Sequence, residues 1–76
     1  MHENQYVTSD LYLSAYLKVK GFKFSLLKEK NKFKFQFEKT ESLMNYVNEY
    51  LTENGSCEPL FYANAIKNLK NLLHNQ

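Results

Sequence analysis

Seventy-six residues make one domain, residues 1–76, because chains divide into domains only at several times this length. The formal net charge is only +2, every basic side chain is lysine, and Cys57 is the sole cysteine, which excludes a disulfide-stapled scaffold and a strongly charged tail. A lone core of this size supplies about 3–5 kcal/mol of net stability, so good helix packing or a partner subunit has to supplement it.

The first residues, Met1-His2-Glu3-Asn4-Gln5, are polar and lack a basic segment ahead of an apolar run, which speaks against a signal peptide. Thr8-Ser9-Asp10 then offers capping side chains ahead of Leu11-Tyr12-Leu13-Ser14-Ala15-Tyr16-Leu17-Lys18-Val19. Leu11, Ala15 and Val19 recur at helical spacing, and Gly21 supplies the left-handed residue that commonly ends a helix. The first predicted helix therefore spans about 9–20. The period then becomes two. Phe22, Phe24 and Leu26 alternate with Lys23, Ser25 and Leu27, and Phe33, Phe35 and Phe37 alternate with Lys32, Lys34 and Gln36. Two alternating runs about the polar Lys28-Glu29-Lys30-Asn31 predict an antiparallel hairpin, strands 22–28 and 32–38, with five phenylalanines on one face and lysines on the other. A one-residue slip would turn the aromatic face into water, so the register is specified.

Thr40 caps a second predicted helix at 41–53, with Leu43, Val47, Tyr50 and Leu51 as its apolar stripe and Asn54-Gly55 as its stop. Pro59 opens a third at 59–74, on which Tyr62, Ala65, Ile66, Leu69, Leu72 and Leu73 form one stripe. The predicted order is α-β-β-α-α. A hairpin alone is marginal, so the expected α+β fold packs all three helices on its phenylalanine face. No apolar run approaches the roughly 20 residues needed to span a bilayer. The expectation is a cytoplasmic protein without membrane contact.

No catalytic constellation stands out. His2 and His74 fall near the chain ends, where nothing holds a general base to tolerance. Asp10 reads as a helix cap, and Cys57 has no histidine placed by sequence to activate it. Glycine-rich phosphate loops and paired metal ligands are missing from the sequence. The expectation is a binding module without enzymatic activity, cofactor or metal.

Charge position is more telling than charge total, because abundant lysine, asparagine, tyrosine and phenylalanine also mark an AT-rich coding sequence. Lys18, Lys20, Lys23, Lys28, Lys30, Lys32 and Lys34 crowd residues 18–34, opposed there by Glu29 alone, whereas Glu38, Glu41, Glu49, Glu53 and Glu58 cluster next. Lysines on a solvated face resist edge aggregation, and on a rigid hairpin they also displace counterions from a phosphate backbone. Lys23, Lys30, Lys32 and Lys34 are the candidate nucleic-acid contacts. The missing arginine argues against bidentate guanine reading, so contact with the backbone is expected. The alternative is a protein partner, engaged through Tyr46 and the acidic Glu49 and Glu53, since tyrosine is enriched at interfaces. A homodimer paired through the hairpin edges is compatible with either.

The run from Tyr6 through Leu17, with Thr8-Ser9-Asp10-Leu11-Tyr12-Leu13 at its centre, then Gly21, the hairpin, and Asn64-Ala65-Ile66-Lys67-Asn68-Leu69-Lys70, resembles a family of short bacterial and phage-borne proteins known only as a domain of unknown function. The resemblance spans most of the chain. It implies a bacterial or mobile-element origin; the protein-partner alternative would then be a small regulator or inhibitor of a host protein. It carries no established activity, so it transfers no site residue.

Overall fold

The computed structural model describes residues 4–75; His2 lies outside the described residues. The elements are β1 (Gln5–Thr8), α1 (Leu11–Val19), β2 (Phe24–Glu29), β3 (Lys32–Glu38), α2 (Glu41–Leu51) and α3 (Pro59–His74). The α-β-β-α-α series is present, and a short strand precedes it. β1 pairs antiparallel with β3 from Gln5↔Glu38 to Thr8↔Phe35, which gives a three-stranded sheet in the order β1-β3-β2. The hairpin is thus part of a larger sheet in which β3 is central.

That position explains the burial of its aromatic residues. Phe35 and Phe37 are each 1% exposed, covered by neighbouring strands on both sides and by helices on one face. Phe24, opposite Phe37 on the edge strand, is half-buried, with its ring edge-on to Phe35 at 5.5 Å. Cross-strand partners share a face, so Tyr6, Thr8, Phe24, Leu26, Lys28, Phe33, Phe35 and Phe37 face the helices. Four of the five expected phenylalanines are therefore on that face. Phe22 precedes β2 and instead packs edge-on against Tyr46, ring centroids 5.7 Å apart. Lys28 also departs from the lysine side, reaching over the Phe33 ring at 5.7 Å. The turn is tighter than the sequence implied: β2 runs through Glu29, leaving Lys30 and Asn31 between the strands, with Lys30 at φ 55°.

α1 is the hub. Leu13, Ser14, Ala15, Tyr16 and Leu17 are all buried, so this helix is covered on every side, as an almost uniformly apolar helix must be. The Ser14 hydroxyl is satisfied within the helix: its Oγ donates to the Asp10 carbonyl at 2.9 Å. Asp10 is the N-cap, its carboxylate accepting from Tyr12 N and Leu13 N at 3.0 and 3.1 Å. At the other end Gly21 (φ 100°) closes a Schellman motif, with Phe22 N–H donating to the Leu17 carbonyl and Gly21 N–H to that of Lys18. This closure lifts Phe22 out of the strand.

α2 ends by the same device with an unusual residue. Asn54 N–H donates to the Glu49 carbonyl and Glu53 N–H to that of Tyr50, so the left-handed position falls on Glu53 (φ 62°), not on Gly55. Gly55 has a different reason to be glycine, since a Cβ there would collide with the Tyr16 ring. Glu58 caps α3 by accepting from Phe61 N at 2.9 Å, ahead of Pro59 at the first turn. Ala65 and Leu69 of α3, Leu43 and Val47 of α2, and the α1 residues complete one core against Phe35 and Phe37. Among the described residues no helix is long and apolar enough to cross a membrane.

Candidate functional site

The pairing of strands and helices gives the molecule two ends of different composition. Thr8 pairs with Phe35 near the hairpin turn, so β1 delivers the chain to that end and α1 starts there. Ser9 lines a shallow basin of about 990 Å³ together with Glu29, Lys30, Asn31, Lys32 and Lys34. The second half of α3 returns to the same end, because Lys70 Nζ lies 6.0 Å from the centre of the Tyr12 ring. One turn earlier, Lys67 lines a shared surface with Lys70 and His74. Lys28, Lys30, Lys32, Lys34, Lys67 and Lys70 thus gather toward one end, against Asp10 and Glu29 among the described residues. The Asp10 carboxylate is engaged in the α1 cap. Glu29 pairs with Lys34 at 3.1 Å, an exposed pair worth less than about 1 kcal/mol.

The four lysines singled out from sequence therefore separate. Lys30 sits in the turn and Lys32 and Lys34 on the sheet face away from the helices. Lys23 precedes β2 at the far end of the sheet, about 14 Å along the strand direction from Lys34 by the rise per residue. Lys67 and Lys70, off the apolar stripe of α3, lie toward the hairpin-turn end as well. The signal was available in the sequence as a segment, Pro59 to His74, without a single carboxylate. The topology that carries it to the hairpin was not.

The opposite end holds Glu49, Glu53 and an aromatic groove, and it carries Lys18, Lys20 and Lys23 as well. Tyr46 is half-buried, its ring edge-on to Tyr16 at 6.4 Å, with Lys20 Nζ 5.4 Å from its centre. Lys20 is anchored there by donating to the Ser56 carbonyl at 2.7 Å. Glu49 is exposed and accepts a long bond, 3.4 Å, from the Tyr16 hydroxyl; Glu53 is exposed in the helix-ending turn. Beside them a groove of about 700 Å³ is bounded by Tyr16, Tyr50, Leu51, Cys57, Pro59 and Tyr62, among others. Leu51, Leu60 and Phe61, each 62% exposed, lie at this end.

Burial raises the pKa of the Tyr16, Tyr50 and Tyr62 hydroxyls, with Glu49 adding to the shift at Tyr16 and Asp10 at Tyr50. Tyr62 is pushed up to about 12, by burial first and then by the neighbouring Tyr50 hydroxyl. These phenols stay protonated at neutral pH and act as hydrogen-bond donors; Tyr62 donates to the Tyr12 carbonyl at 3.2 Å. Cys57 is a half-buried free thiol on the groove wall. Among the described residues no three of His, Cys, Asp and Glu stand together as metal ligands do.

In a comparison with protein families, the model described as Domain of unknown function (DUF5659) matches residues 3–75. Neither the curated proteins nor the solved structures contain a match to the chain.

Proposed function

The chain belongs to the DUF5659 family, and we propose that this member is a non-enzymatic binding module that contacts a nucleic-acid backbone with its basic end. The observation that supports this reading is that the hairpin lysines and the second half of α3 lie toward the same end, with Asp10 and Glu29 as the opposing carboxylates among the described residues. Lysines on two rigid elements need only their side chains ordered to meet phosphates, and each neutralised phosphate releases counterions. With no arginine in the chain, backbone charge supplies most of the affinity.

Fluorescence anisotropy of a labelled duplex at several salt concentrations tests this. Simultaneous contact by Lys30, Lys32, Lys67 and Lys70 gives a slope of log affinity against log salt of about −3.6. Replacing those four by glutamine abolishes binding, whereas Lys23→Gln, at the other end of the sheet, leaves it unchanged. Wild-type affinity no tighter than about 100 μM, the weak end of non-specific binding, rules the reading out.

A protein partner is the second reading, favoured by the tyrosine groove beside the exposed Leu51 and the acidic Glu49 and Glu53. It requires that a co-purifying protein be lost on Tyr46→Ala, or on charge reversal at Glu49 and Glu53, with DNA affinity absent throughout.

A further inference from the structure

Beyond backbone contact, the outer face of α3 carries side chains suited to reading bases. α3 is 16 residues long, about 24 Å, and presents Ala65 and Leu69 to the core. At 100° per residue, the side turned from Ala65 and Leu69 holds Lys67 and His74 at its centre, with Asn71 next to them. Lys70 lies on one flank and Asn64 and Asn68 on the other, bordering Lys18 and Val19 of α1; the two asparagines and Lys70 are exposed. No carboxylate occurs between Pro59 and His74, so nothing on the helix repels phosphate.

Asn64, Asn68 and Asn71 follow an i, i+4, i+7 line. They span about 10 Å of helix axis, close to three base-pair steps. An asparagine amide offers one donor and one acceptor side by side, which match N7 and the N6 amino group of adenine in the major groove. A single α-helix fits that groove, and Lys67 and Lys70, on one side of the asparagines, are placed to meet one of its phosphate walls.

We propose that α3 enters the major groove of duplex DNA and reads adenines through Asn64, Asn68 and Asn71. This rests on the basic-end reading above and adds a sequence preference to it. Without a carboxylate, α3 lacks the acceptor that best matches the cytosine amino group. Each asparagine contact is expected to discriminate roughly five- to hundredfold between adenine and a wrong base.

The test is anisotropy on duplexes of equal length, one with adenine runs and one rich in G·C, and on the adenine duplex with 7-deazaadenine, which removes the N7 acceptor. The wild type is expected to prefer adenine by tenfold or more and to lose that preference on the 7-deaza duplex. The triple variant Asn64→Ala, Asn68→Ala, Asn71→Ala should bind all three equally, with wild-type salt slope and melting temperature. Equal wild-type affinity for all duplexes, or a preference that survives 7-deaza substitution, overturns base reading by α3 and leaves backbone binding standing. Failure to bind any duplex at low salt, or binding to single-stranded RNA alone, overturns both.

Discussion

Replacing Gly55 by alanine sets two effects of opposite sign against each other, and the structure decides between them. Gly55 is not in the left-handed region, so alanine is conformationally allowed. By restricting the unfolded chain it would stabilise the domain by about 0.4–1 kcal/mol. Its Cβ, however, would lie 2.8 Å from Tyr16 Cζ and 3.2 Å from Cε1, well inside the roughly 3.5–4.0 Å optimum for carbon pairs. Tyr16 cannot simply withdraw. It is 3% exposed, its ring packs against Tyr46 and Tyr50, and its hydroxyl is directed at Glu49. Overpacking of this kind costs about 1–3 kcal/mol, so the clash outweighs the entropy. The net loss is about 1–2 kcal/mol, a fall in Tm of about 5–15 °C for a domain this small. Thermal and urea melts measure it, alone and in a Tyr16→Phe background. Removing the hydroxyl deletes the closest clashing atom, so the double-mutant cycle should show at least about 0.5 kcal/mol of coupling. A Gly55→Ala protein as stable as wild type, or strict additivity with Tyr16→Phe, would refute the close-approach account.

The neighbouring Glu53→Gly change runs the other way. Relief of the left-handed strain, about 1–2 kcal/mol, exceeds the entropy cost of glycine, so Tm is expected to rise by several degrees in the same melts. Phe35→Ala should cost about 3–5 kcal/mol and nearly unfold the domain, whereas half-buried Phe33→Ala should cost about 1–2; urea midpoints rank them, and an inverted order would contradict the central placement of β3. In alkali, the raised pKa values of Tyr6, Tyr16, Tyr50 and Tyr62 mean that the unfolded chain loses its phenolic protons first. The stability they confer is complete below about pH 10 and is lost as pH rises through the folded values, near 12 for Tyr62. Tyrosinate absorbance followed beside circular dichroism should therefore show unfolding together with late ionisation.

The elements that announced themselves in the sequence are those with a sustained period. Phe33, Phe35 and Phe37 fix β3, and Ala65, Ile66 and Leu69 fix the buried side of α3. β1 gave no such sign: four residues with one apolar pair, Tyr6-Val7, cannot establish an alternation, and Thr8 read equally well as a cap. Its Oγ1 does accept from Asp10 N at 3.1 Å, so the residue serves strand and cap together. Gly55 was legible as a helix stop, but the helix turns on Glu53, because the Tyr16 ring claims the space beside the glycine. The candidate lysines were visible as a cluster in sequence, yet Lys23 and Lys34 are separated by the length of a strand. Lys70 joins the hairpin end through a contact with Tyr12, 58 positions earlier, which no local pattern encodes.

The sheet order β1-β3-β2 also sets a timetable. β2 and β3 are joined by a two-residue turn and can zip together locally, whereas Thr8 must wait for Phe35, its partner across α1 and the whole of β2. During synthesis β1 and the apolar α1 leave the ribosome first and remain without their sheet until β3 has emerged. α1 then has no cover for Leu13 through Leu17, and β1 has no ladder to join. The nascent chain is thus most exposed to aggregation and proteolysis early in its length, and the slow long-range closure of β1 onto β3 is the step after which the helix is protected.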